Sequence, residues 1–212
     1  MIDLIHTILK FTHIISLTLG VGGAIIADLF VIGLLNKAIT RQELRLLENL
    51  EKFVFVGLML LWISGVGFFV EYQLFNPEKL SNPKILAKLT IVMIVTLNGL
   101  LFHMFFHNRV FQEGLVIVKL PPLTYYSLIL FGTISSFSWI GAMTLGAVSQ
   151  LNDIFPYIQI MVGYLAIVAC GMISGLMFAT FKRWHVNRNP EMMVSAAGEK
   201  KFQAPPQFAL KR

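Results

Sequence analysis

The chain contains a single cysteine, Cys170, placed inside an apolar run, which excludes intramolecular disulfides and thiolate metal clusters. Charge is equally scarce: 13% of the 212 residues are Asp, Glu, Lys or Arg, against 56% hydrophobic ones. With a mean hydropathy of +0.73, such a composition excludes a water-soluble globule and predicts an integral membrane protein. No polar stretch is long enough for a separate soluble domain. The amino terminus lacks both a basic leader and a small-residue cleavage site, so its apolar run is expected to be an uncleaved first helix. No internal repeat and no HExxH pattern is present. The net charge of +6 does not imply a nucleic-acid partner, because the basic residues gather at span ends and in the tail, where topology and anionic lipid account for them.

What is present is apolar length. Crossing roughly 30 Å of hydrocarbon takes about 20 residues at a rise of about 1.5 Å each. Five segments meet or approach that length, predicting an all-α, five-span bundle: about Leu4–Leu35, Leu50–Tyr72, Lys84–Phe111, Pro121–Leu151 and Pro156–Trp184. The amphipathic stretch 41–52 before the second span either lies in the interface or extends the helix. Asn76, Pro77, Asn82 and Pro83 break the chain, Asn152 and Asp153 make another turn, and residues 185–212 read as a basic, disordered tail. Lys37, Arg41, Arg45, Lys52, Arg109, Lys119, Lys182 and Arg183 fall on one side, which places the amino terminus outside and the tail in the cytoplasm.

Ionisable side chains within these spans carry the functional signal, since Asp or Lys at mid-membrane costs about 2.5–3.5 kcal/mol. They fall into two layers, because His13 and His103 differ in depth by roughly 20 Å. In the outer layer His6, His13 and Gly20 recur every seven residues and share one face of the first helix. Histidine above glycine suits a planar macrocycle bound through an imidazole; plain helix packing is the competing reading. In the inner layer His103 and His107, four apart, can chelate one ion with Asp28 as third ligand, whereas they cannot be opposite axial ligands of one haem. A buried hydrogen-bonded couple with Asp28 competes with that reading. Glu48, Glu51 and His185 lie near the same boundary. Lys84 reads as a snorkelling residue and Lys88 as a deeper one. Ser135, Ser136, Ser138, Trp139, Met161, Cys170 and Met172 either line a path for a soft metal or fill the core.

Two stretches, His13–Ala24 (HIISLTLGVGGA) and Ile85–Asn98 (ILAKLTIVMIVTLN), resemble small bacterial membrane proteins related to HemJ-type protoporphyrinogen oxidase and the membrane domain of the copper resistance D group. The resemblance covers the first three spans. It implies b-type haem, with His13 at the position of a first-span haem histidine and Lys88 at that of the lysine early in the third span. The sequence departs from that pattern at Gly20, where an aromatic residue is expected, and at Asp28 and Leu29, where an arginine-containing end is expected.

Together these features lead to an expected multi-pass protein of the bacterial inner membrane. It would hold haem b through His13, with Lys88, His6 and Gly20 around it. It would exchange electrons with a quinone-like or porphyrin-like membrane-soluble partner, and carry a second metal site at His103, His107 and Asp28. The alternatives are a copper or divalent-metal handling protein without haem, and a non-catalytic subunit that binds a membrane-protein partner or a second copy.

Overall fold

A computed structural model describes residues 2–148 and 154–189. Its helices are α1 (Ile2–Leu34), α2 (Arg41–Phe75), α3 (Pro83–Phe105), a single turn α4 (His107–Val110), α5 (Pro122–Ala147) and α6 (Tyr157–Arg188). Five of them, all but α4, are long and apolar enough to cross a membrane. Large apolar side chains such as Leu4, Phe11, Phe55, Ile63, Leu97, Leu123 and Met177 are exposed on the outside of the bundle. Water would not tolerate a surface of that kind; a bilayer matches it.

Local chemistry sets the helix starts. Thr40 and Glu43 form a reciprocal capping box: the Glu43 amide donates to Thr40 Oγ1 at 3.2 Å, and the Thr40 amide donates to the Glu43 carboxylate at 2.7 Å. The amphipathic stretch therefore extends α2 rather than standing apart. Asn82 caps α3 by accepting from the Lys84 amide at 2.9 Å, with Pro83 at the first helical position; α5 likewise begins on Pro122. Two boundaries differ from expectation. The third span ends at Phe105, because Phe106 (φ −120°, ψ −30°) leaves the helical region before α4 restarts. The fifth runs on to Arg188, so the first residues of the expected tail are helical and Val186 is buried. The turn at Asn152 and Asp153 and the tail beyond residue 189 lie outside the described residues.

Small residues set the closest packing. A Cβ on Gly57 would lie 2.6 Å from the Gly20 amide nitrogen and 2.9 Å from the Ser16 carbonyl, so α1 and α2 touch backbone to backbone. On another side of Gly20 lies the Trp139 indole of α5, fully buried among Val21, Ala24, Leu58, Leu61 and Val95. α5 also packs on α3 and α6, through Ala87, Ile91, Ala142, Tyr164 and Val168. One end of the bundle carries most of the basic residues and is called the basic end below. There the two connections pair: Ile39 N–H donates to Leu115 O at 2.9 Å, Gly114 N–H to Ile39 O at 2.8 Å, and Val118 N–H to Leu35 O at 3.0 Å. Gly114 sits at φ +81°, a conformation that favours glycine at this tight crossing.

Candidate metal centre

Glu51 on α2, His103 in the last turn of α3 and His107 at the start of α4 converge at the basic end. One ligand atom from each lies within 4.8 Å of the others. Helix periodicity turns Glu51 inward: Leu47 and Leu58, on the same stripe, are buried. The break at Phe106 orients the histidines. Phe106 packs its ring on Phe131 of α5 at 5.0 Å and stacks on Phe102, so an aromatic cluster behind the site holds the bend. The two imidazoles consequently lie with ring centroids 4.8 Å apart, both facing one carboxylate.

Those contacts are not equivalent. His103 Nδ1 makes a 3.0 Å hydrogen bond to Glu51 Oε1. His107 Nδ1 lies as close to Glu51 Oε2, 3.0 Å, but off the hydrogen-bonding line, and is a buried nitrogen without a hydrogen-bond partner among the described residues. A buried polar atom without a partner is costly, and a water or an ion is one of the species that can satisfy it. The His103 side chain is 63% exposed and that of His107 22%, which gives an arriving ion both access from water and a sheltered seat. Two imidazole nitrogens and a carboxylate oxygen suit zinc, iron(II) or manganese(II) and offer no soft sulfur to copper(I).

Asp28, the expected third ligand, is held elsewhere. Ser136 of α5 donates to its Oδ2 at 2.5 Å and Oδ1 packs on Gly132, so Asp28 joins α1 to α5 while Glu51 reaches the histidine pair. His185 stacks on Phe181 along α6. The sulfur residues do not converge on this centre: Met161 and Met172 pack in the α3, α5 and α6 core, and exposed Cys170 lines a cleft of about 610 Å³ with Phe137, Ile167 and Ser174. Ser138 bonds Tyr164 at 2.7 Å.

At the opposite end each histidine of α1 has its own partner on α2. His6 Nδ1 meets Glu71 Oε1 at 2.7 Å, and His13 Nδ1 meets Ser64 Oγ at 2.9 Å, with Phe68 edge-on to both rings. The Ser64 hydroxyl also lies within hydrogen-bonding distance of the carbonyls of Leu60 and Leu61, at 2.8 and 3.1 Å. The bond to Ser64 engages Nδ1, so Nε2 is the ring nitrogen that remains for another partner. Lys88 of α3 is close enough to interact electrostatically with His13, and Lys84 donates to the Val148 carbonyl. For haem, the donor chemistry of His13 fits and the expected cradle does not: the space beside Gly20 is filled by Trp139, and His6 is engaged with Glu71.

Sequence reasoning did not single out Glu51 and Glu71 as functional. The signal was their helical phase, Glu51 in register with Leu47 and Leu58, and Glu71 with Leu61, Ser64 and Phe68. Comparison with protein-family models, curated proteins and solved structures finds no match to this chain.

Proposed function

We propose that this chain is an integral membrane metal-binding protein that takes a divalent first-row cation at Glu51, His103 and His107. The charge asymmetry of the connections supports placing that centre at the cytoplasmic face of a bacterial inner membrane. The carrying observation is the convergence of three ligand atoms within 4.8 Å, one of them a buried nitrogen without a hydrogen bond. The cation takes the place of the proton that His103 shares with the carboxylate, and its charge offsets that of Glu51. Three protein ligands leave coordination positions for water or a small substrate. Equilibrium dialysis of purified protein with zinc or manganese tests this reading. One ion per chain, with affinity lowered about 100-fold or more in Glu51→Gln and in His103→Asn, is the expected result. Binding unchanged in both variants overturns it.

A second reading comes from the family resemblance: b-type haem on His13, serving electron transfer with a quinone-like or porphyrin-like membrane-soluble partner. The His13 imidazole, engaged through Nδ1 and leaving Nε2 for another partner, and the nearby Lys88 charge favour it, while the Trp139 ring in the Gly20 notch counts against a macrocycle on that face. A reducible Soret band that is lost in His13→Ala would support this reading, and purified protein without iron would exclude it.

A further inference from the structure

We infer that the cation at this centre acts as a clasp, fixing the α4 turn against α2 and thereby coupling metal supply to the conformation of the connection between α3 and α5. This rests on the metal reading above and adds a regulatory consequence to it.

The reason is mechanical. Glu51 belongs to the α1–α2 hairpin, whereas His103 and His107 belong to the half built from α3, α5 and α6. Elsewhere the two halves are joined by complete interactions: Trp62 Nε1–H donates to Thr96 Oγ1 at 3.0 Å, Ser136 to Asp28 at 2.5 Å, and Trp139 fills the Gly20 notch. At the basic end the connections pair through the backbone and His103 bonds Glu51, but the contact between α4 and α2 at His107 is incomplete. α4 is four residues long, and its turn is closed by Val110 N–H to Phe106 O and Phe111 N–H to His107 O, each 3.0 Å. An isolated turn of that length has almost no helical stability of its own. Its imidazole approaches Glu51 without making the hydrogen bond. Bound to both Glu51 and His107, an ion converts this near-contact into two coordinate bonds and joins α2 to α4.

The chain that follows amplifies the effect. Val110, Ile117 and Val118 are buried with Leu35, Ile39 and Leu47, so the connection shares a core with the α1–α2 connection. Any opening of the α4 turn that breaks the His107 bond leaves the ion only Glu51 and His103 and so weakens its binding, and the free energy of opening therefore rises with ion concentration by linkage.

Backbone hydrogen exchange on the full chain in detergent micelles tests the clasp, with zinc binding measured in parallel by dialysis. With zinc at about 100 times its dissociation constant, exchange at the amides of Val110 and Phe111 is expected to slow at least about fivefold, with about 100-fold as the upper limit, while interior α6 amides such as Val168 and Cys170 do not change. Zinc that binds without altering Val110 and Phe111 overturns the clasp and leaves the metal centre standing. Zinc that does not bind overturns both. In Glu51→Gln, or in His103→Asn should the first variant fail to fold, zinc is expected to leave these amides at the metal-free rate; slowing in the variant would place its action elsewhere and overturn the clasp.

Discussion

The two ends of the bundle use histidine differently. At the end holding the start of α1, His6 and His13 each have a separate partner, Glu71 and Ser64, and the pairs form rungs between α1 and α2. At the basic end two histidines face one carboxylate, and one imidazole nitrogen is left without a hydrogen bond. Rungs of the first kind satisfy polar groups in oil and hold helices in register. A buried ring nitrogen left without a hydrogen bond, by contrast, invites a further species. Glu71 Oε2 is also buried and unpartnered, yet among the described residues no third ligand-type side chain joins the His6–Glu71 pair.

Carboxamide substitution is the sharpest way to break this contrast. Glu51→Gln should weaken zinc binding about 100-fold or more, whereas Glu71→Gln should leave it within about twofold; dialysis of the two variants side by side checks this, and equal losses would erase the distinction. Acid should discriminate next. Ligating imidazoles must be neutral, so lowering pH from about 7.5 to about 5 should reduce zinc affinity roughly tenfold or more, as followed by titration calorimetry. A flat profile would argue that histidine is not a ligand.

The structural end of the comparison is sharpened by packing. Gly57→Ala places a methyl against the Gly20 backbone and should lower the unfolding temperature, costing about 1–3 kcal/mol, while Gly22→Ala, which meets nothing within 4 Å, should leave it near wild type. The smallest expected effect is the coupling between His13 and Ser64. A double-mutant cycle with alanine should give about 0.6 kcal/mol, typical of interhelical hydrogen bonds in membranes. A much larger coupling would show that the pair does more than tie α1 to α2.

The spans were legible because apolar length and Pro or Asn punctuation act locally, as at Asn82–Pro83 and Pro122. The break at Phe106 was not, since no proline or glycine marks it; packing on Phe131, a residue distant in sequence, holds it. His103 and His107 were readable as a pair from their spacing, but their carboxylate depended on which helix faces α3. Asp28 and Glu51 lie near the same boundary in sequence. Tertiary contacts turn Asp28 to Ser136 on α5 and Glu51 to the histidines. Gly20 read as open space because sequence does not reveal Trp139, which arrives from α5 to fill it.

Zinc K-edge absorption on the loaded protein measures the ligand set itself. Two imidazole nitrogens and one carboxylate oxygen at about 2.0–2.2 Å, with no sulfur, are the expected shell. A sulfur shell, or oxygen neighbours without imidazole scattering, would contradict a centre built from Glu51, His103 and His107.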